Sequence, residues 1–260
     1  MPTPVEIKQS EIIDRLVQAR VNNTKIPLDV LTVEQTKQAY QIQSELIKSY
    51  LSKSGTTLTG WKVALSGQKA QGKYQLNEPV YGHLTSDMQL QNYACITYDA
   101  HEALKVEVEL AFALKHDLLP SQHYTDQELI SAVEKVIPAL EIVNIRWQDW
   151  SFDLNQFLAD NSAAFAYILG EPFALDITNF SPETLIDDST HEILRTSTAQ
   201  DHPTLNYLWL ARTLLNREQV LKAGEIILTG SLIQPMNLND GNYVFEIMGK
   251  KLGLDVKKAE

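Results

Sequence analysis

Apolar residues recur at two different periods along this chain. Ile7, Ile12, Ile13, Leu16 and Val17 fall at helical intervals and predict an amphipathic helix over residues 8–21, ended by Asn22 and Asn23. Thr32-Val33-Glu34-Gln35 has the spacing of a capping box and is expected to open a second helix. Ala39, Ile42, Leu46 and Tyr50 would form its buried stripe and Gly55 its stop. From Gly60 onward the pattern changes to short strands and turns. Strands are expected at 60–65, 105–114, 139–144 and 165–169, and residues 223–230 read as a turn followed by a buried strand. Thr125-Asp126-Gln127-Glu128 reads as another capping box, opening a helix to about residue 136 that Pro138 closes. Pro203 begins a helix with Leu205, Leu208, Leu210, Leu214 and Leu215 as core candidates. Residues 171–190 read as a surface excursion, Asn239-Asp240-Gly241-Asn242 as a hairpin turn, and the charged C-terminus as frayed. No internal repeat or low-complexity linker interrupts the pattern. The fold class is α+β: one domain, with a helical arm over 1–57 and a β-rich body over 58–260.

The strand at 105–114 carries the chemistry. Its side chains alternate between two faces, so Val106, Val108, Leu110, Phe112 and Leu114 share an apolar one. Glu107 and Glu109 share the other, roughly 6–7 Å apart along the strand, followed by the small Ala111 and Ala113. Two carboxylates so placed repel, and a divalent cation between them would relieve the repulsion. The pair alone also fits a solvated strand face bearing two ordinary acids. Glu141 lies between Leu140 and Ile142 in the next expected strand and could add a third oxygen ligand. Three carboxylates suit Mg2+ or Mn2+ rather than zinc, which prefers His and Cys. Lys62, opposite Trp61 and Val63 in an apolar stretch, belongs either at a sheet edge or in a polar pocket. Asp87 has the ordinary reading of a turn or cap residue, and His83 that of a structural histidine.

The formal net charge of −11 argues against nucleic acid and anionic membrane as partners, since both require basic patches. The single cysteine, Cys95, allows no disulfide within the chain and suits a reducing cytoplasm. The N-terminus carries no basic segment followed by an apolar run, and no apolar stretch reaches the length of a membrane span.

In order and spacing, several segments together resemble one family. They are Gly60-Trp61-Lys62-Val63-Ala64-Leu65-Ser66, Ser86-Asp87-Met88, Val106-Glu107-Val108-Glu109 and Pro138-Ala139-Leu140-Glu141-Ile142-Val143. Arg146 with Asp149-Trp150, Asp160-Asn161, and Gly224-Glu225-Ile226-Ile227-Leu228-Thr229-Gly230 continue the match. The family is that of the 2-keto-4-pentenoate hydratases and 4-oxalocrotonate decarboxylases, in the fumarylacetoacetate hydrolase superfamily. The resemblance covers about residues 58–250, and the helical arm also fits. It implies a mixed β-roll with an N-terminal helical arm, and one Mg2+ or Mn2+ on Glu107, Glu109 and Glu141. It also implies Lys62 and Asp87 as acid–base residues, and a substrate site at Leu65, Ser66, Asn161, Ser162 and Thr229. A homo-oligomer, association with a sister pathway enzyme and a cytoplasmic location are further expectations from it.

The implied reaction is hydration of a 2-hydroxy-2,4-dienoate to a 4-hydroxy-2-oxo acid in the meta-cleavage catabolism of aromatics, with Lys62 expected at a depressed pKa beside the cation. Alternatives are decarboxylation of 4-oxalocrotonate (2-oxo-3-hexenedioate), hydrolysis of an acylpyruvate, and a metal-binding paralogue without catalysis. The diacid would need a basic residue at the far end of the pocket, for which Arg146 and Arg195 are candidates. The hydrolase lacks an evident His-Glu pair near the start of the β body. The sequence departs from the family at Ser162-Ala163, where the small residue and the hydroxyl are exchanged, in the 197–203 loop, and at the bulky Ile233-Gln234-Pro235-Met236.

Overall fold

Alternating apolar positions in the body build a sheet that curls on itself. The computed structural model describes residues 9–31, 35–99, 103–173 and 202–259. Its strands are β1 (Leu58–Ala64), β2 (Val80–Thr85), β3 (Gln89–Leu90), β4 (Ala94–Tyr98), β5 (Lys105–Leu114) and β6 (Val133–Val143). They continue with β7 (Ala164–Leu169), β8 (Ile226–Leu228), β9 (Met236–Asn237), β10 (Gly241–Ile247) and β11 (Lys250–Lys258). The main sheet has the order β2-β1-β8-β5-β6-β7-β3, with β9 added to β5. Its two ends are consecutive in the chain, because β2 runs into β3 through the 3-10 turn Ser86–Met88. β7 touches both β2 and that turn, so the sheet closes into a roll. A second sheet, β10-β11-β4, packs against β6.

One closure of the roll is parallel and long-range: β1 pairs β8, Gly60 facing Ile226 and Lys62 facing Leu228. Gly60 permits this approach, since a Cβ there would lie 1.9 Å from the Ile226 carbonyl oxygen. The roll has two apolar layers. Its outer face merges with the helices into the large core, whereas Leu84, Met88, Ala111, Ala139, Tyr167 and Leu228 form a separate cluster inside.

The helices are α1 (Gln9–Asn22), α2 (Thr36–Ser54), α3 (Gln68–Lys73), α4 (Asp126–Ser131), α5 (Leu154–Ala159) and α6 (Pro203–Asn216). α1 packs on α2, and α2 packs on α5, so the arm is seated on the body. Gln43 of α2 fastens it, donating from Nε2 to the carbonyls of Tyr81 (3.1 Å) and Leu158 (2.8 Å).

Most expected elements form, and the exceptions have physical causes. The capping box at 32–34 lies outside the described residues; α2 begins at Thr36 after Gln35 and stops, as expected, at Gly55 with φ 72°. The capping box at Thr125 is present, but α4 ends at Ser131 and Pro138 lies within strand β6. The Pro138 carbonyl accepts from Gly170 N, so its donor-less nitrogen faces β7 where that pairing ends, and no bond to β5 is lost. Leu205 is exposed on α6. Asn239–Asn242 is not a hairpin: β10 turns at Met248-Gly249 into β11. The charged C-terminus is that strand, held between β10 and β4. The excursion expected at 171–190 and the 197–203 loop fall mainly outside the described residues.

Candidate active site

The β5–β6 register sets Glu107 directly opposite Glu141 and Glu109 opposite Ala139. Facing residues in an antiparallel pair share a face, so all three carboxylates point into the roll. One oxygen from each lies within 4.8 Å of the others. Glu109 and Glu141 are fully buried, and Glu107 is partly exposed. Burial is the first cause of the upward pKa shift at all three; at Glu109 the charges of Glu141 and Glu107 push it further.

Lys62 enters from β1, which settles its position: a buried polar pocket, not a sheet edge. Its Nζ lies 2.8 Å from Glu141 Oε1 and donates to the Ser162 carbonyl at 3.0 Å. Burial lowers its pKa, but Glu141, Glu107 and Glu109 together outweigh that and hold it above the ordinary value. The direction is opposite to the expected depression, because three acids surround this ammonium.

The Ser162 carbonyl is delivered by a backbone turn in which Asn161, Ser162 and Ala163 all have positive φ, at 54°, 51° and 60°. Such conformations are costly for residues with a Cβ, and side-chain bonds hold them. Asn161 Oδ1 accepts from His83 N at 2.8 Å, and its Nδ2 donates to His83 O at 2.9 Å. Ser162 Oγ donates to Tyr81 O at 2.7 Å. Gly82, the strand partner of Lys62, lets the turn approach; a Cβ there would stand 2.6 Å from Asn161 O. Ser162 and Asn161 thus spend their side chains on backbone.

Thr229 behaves likewise, its Oγ1 donating to Leu110 O at 2.8 Å while Asn206 Nδ2 holds its carbonyl at 2.8 Å. The next residue contributes directly: Gly230 N donates to Glu109 Oε2 at 2.9 Å. Leu65 and the buried Ser66 follow β1, and a Cβ on Gly230 would meet Ser66 Oγ at 2.6 Å. The sequence reading missed Gly230, Gly82 and Asn206. The Thr229-Gly230 pair after a strand was the available signal for the first.

Asp87 is not brought to Lys62. Lys62 pairs Gly82 and Leu58 pairs Thr85, so Asp87 lies beyond the other end of β1. Tyr50 OH donates to its Oδ2, and Thr56 Oγ1 to its Oδ1 at 2.9 Å. Its pairing with Lys62 as acid and base is not retained. Arg146 is also spent: its Nε binds Asp160 Oδ1, and Nη1 and Nη2 donate to the Ala164 and Asp160 carbonyls. It does not reach into the roll to meet a substrate carboxylate. Arg195 lies outside the described residues.

The triad fits a hard divalent cation. The donors are all carboxylate oxygens, and among the described residues no hydrogen-bond donor reaches Glu109 Oε1 or Glu141 Oε2, although both are buried. Acceptors left so are costly unless a proton or cation fills them.

No family model matches the chain. It is 33% identical over 218 residues to the 2-keto-4-pentenoate hydratase of Paraburkholderia xenovorans, covering 80% of this chain and 78% of that protein. Among solved structures, the 4-oxalocrotonate decarboxylase of Pseudomonas putida G7, complexed with magnesium and adipate, superposes with a TM-score of 0.83. Identity there is 20%, with 96% of this chain and 98% of that one covered. A fumarylpyruvate hydrolase of Pseudomonas aeruginosa, with Mn2+ and pyruvate, matches with a TM-score of 0.57 at 13% identity, over 76% and 89% of the two chains. The fold is thus that of the fumarylacetoacetate hydrolase superfamily. Within it, by its 33% identity to a hydratase across most of both chains, the protein belongs to the family of 2-keto-4-pentenoate hydratases and 4-oxalocrotonate decarboxylases.

Proposed function

We propose that this protein is a divalent-metal-dependent hydro-lyase that adds water to a 2-hydroxy-2,4-dienoate and yields a 4-hydroxy-2-oxo acid. The observation that carries the reading is the meeting of Glu107, Glu109, Glu141 and Lys62 inside the roll. Mg2+ or Mn2+ held by the three carboxylates would supply a Lewis acid and template for the substrate carboxylate and its 2-oxygen. The enol proton leaves O2 and a proton arrives at C5, giving an enone; water oxygen then adds at C4 and C3 takes a proton. Lys62 is the group of this chain placed to hold or pass those protons. The Ser162 carbonyl and Glu141 fix its ammonium, so it donates from a set position. Gly230 N fixes Glu109, leaving its other oxygen directed at the centre. Asn161, Ser162 and Thr229 are read as positioning residues.

The hydratase is favoured over the decarboxylase by what lies beside the triad. Ala139, Ala111, Leu228 and Tyr167 line the same inner face; of the cations beside the triad, Lys62 is held by Glu141 and the Ser162 carbonyl, and Lys105, on the same face of β5, lies over the Trp150 ring at 4.5 Å from its centroid. A second substrate carboxylate would have to compete with these contacts for either lysine. We take residues 1–260 as one catalytic unit and expect a homo-oligomer acting on this small molecule. Among the described residues no helix is long and apolar enough to cross a membrane.

The test is the ultraviolet absorbance of 2-hydroxypenta-2,4-dienoate with enzyme and Mg2+, then with EDTA. Metal-dependent loss of the diene with formation of 4-hydroxy-2-oxopentanoate is expected, and Lys62→Met should lower kcat by about 10²–10⁴. No loss of diene, with CO2 released from 2-oxo-3-hexenedioate, would replace this reading by the decarboxylase.

A further inference from the structure

Along the inner face of β5, Glu109, Ala111 and Ala113 are buried, whereas Glu107 and Lys105 are partly exposed. The roll therefore opens towards the Lys105 end of the strand, and a substrate bound for the triad passes Lys105 on its way. Lys105 lies roughly 6–7 Å along the strand from Glu107. It is paired with Val143 of β6 and Asn237 of β9, and its Nζ stands 4.5 Å from the centroid of the Trp150 ring. We propose that Lys105 is the entrance cation of this site: it draws the anionic substrate in past the acids, at a cost in affinity for the metal. The proposal rests on the hydratase reading for its metal and for the negative charge of its substrate.

Charge balance carries the argument. Glu107, Glu109 and Glu141 as carboxylates cancel Lys62 and one divalent cation. A dienoate brings its own carboxylate to this neutral centre, in a chain of net charge −11, so attraction over distance requires a further cation. Lys62 cannot supply it, because its charge is spent in a buried ion pair with Glu141 at 2.8 Å. Lys105 can: among the described residues no carboxylate forms an ion pair with it. The nearby Asp149 is exposed and accepts from Ser151 N. An aromatic ring holds an ammonium without neutralising it, so Lys105 acts through space and need not leave Trp150. Its field already reaches the triad: burial raises the Glu107 carboxyl, and the charges of Lys62 and then Lys105 pull it back down. A field that favours an anion opposes a metal cation, so the two ligands feel Lys105 with opposite sign. Across roughly 8 Å at an effective permittivity of about 40, one charge changes the affinity of a monoanion about fivefold.

The test measures both ligands on the full-length protein by titration calorimetry. Mg2+ is titrated without substrate, and pyruvate, a 2-oxo acid with no tail, is then titrated into the Mg2+-loaded protein. Lys105→Met should bind Mg2+ at least about fivefold more tightly than wild type and pyruvate about fivefold more weakly. Lys105→Gln should behave as Lys105→Met, and Lys105→Arg as wild type. In turnover of the dienoate, or of whichever acid the wild type consumes, Lys105→Met should raise KM with kcat little changed. The fall of kcat/KM with added NaCl in wild type should flatten in the same variant. A disturbed fold would weaken both ligands together, so opposite signs identify the charge. Unchanged affinities in Lys105→Met and Lys105→Gln, or a loss of both ligands in both variants, overturns the proposal. Wild type that binds no Mg2+ would remove the metal reading and this proposal with it. Wild type that binds Mg2+ while both variants are indifferent removes this proposal alone.

Discussion

A carboxylate buried among carboxylates is tolerated only if something positive or a proton is shared with it. Glu109 shows this most plainly: one oxygen accepts from Gly230 N and the other meets no hydrogen-bond donor among the described residues. Glu109→Gln removes a repelling charge while keeping the shape. It should leave the metal-free protein at least as stable in EDTA, yet abolish stabilisation by Mg2+, which for wild type amounts to about 2.7 kcal/mol at a hundredfold excess over Kd. Thermal melts with and without Mg2+ read both effects, and a Glu109→Gln protein that still gains stability from Mg2+ would refute the ligand assignment. His83 gives a second residue-level expectation. Buried against the Trp61 ring at 4.4 Å, its pKa is pushed down to about 4, first by burial. The unfolded chain, with an ordinary value near 6.5, binds the proton first as pH falls. Its contribution is therefore complete above about pH 6.5 and is lost progressively towards pH 4. His83→Gln should flatten the stability-against-pH slope in that window, measured by urea unfolding at several pH values.

At the level of elements, the left-handed turn and β2 act as one fitting. The exchanged order Ser162-Ala163 is accommodated because Ser162 Oγ finds Tyr81 O on β2, and the carbonyl of the same residue remains on Lys62. Gly82→Ala would drive a Cβ into Asn161 O. The cost should be about 1–3 kcal/mol of stability and a larger loss in kcat than in KM, because Lys62 loses its fixed acceptor. Kinetics together with urea unfolding test this, and unchanged kcat in a destabilised protein would sever the turn from the chemistry. This fitting was not legible in the sequence. Period-two alternation located β5 and the shared face of Glu107 and Glu109, but contacts such as Gly82 on Asn161 are between backbones and leave no side-chain pattern. Pro138 misled for a related reason: its effect depends on which side of the strand its nitrogen faces. Asp87 matched a family segment by position, yet its surroundings are set by Tyr50 and Thr56, contributions of α2 and its following loop that spacing does not reveal.

For the molecule as a whole, class and arm were readable from the switch in period, while closure was not. β1 joins β8 across more than 160 residues of chain, and no local signal encodes a pairing that distant. The C-terminal strand was likewise hidden by its charge: β11 carries lysines outward while Leu252, Leu254 and Val256 are buried. Deleting residues 250–260 should leave β10 and β4 without their common neighbour and abolish the cooperative thermal transition, seen by calorimetry. A truncated protein melting as wild type does would contradict that topology.

The same β1–β8 seam sets an order of events during synthesis. Glu107, Glu109, Glu141 and Lys62 have all left the ribosome long before Gly230, whose amide secures Glu109. Pairings this distant form slowly and late. The nascent chain therefore passes through a stage in which its acids are present but not yet gathered around an enclosed centre, and the site is completed only once the segment carrying β8 and Gly230 has emerged.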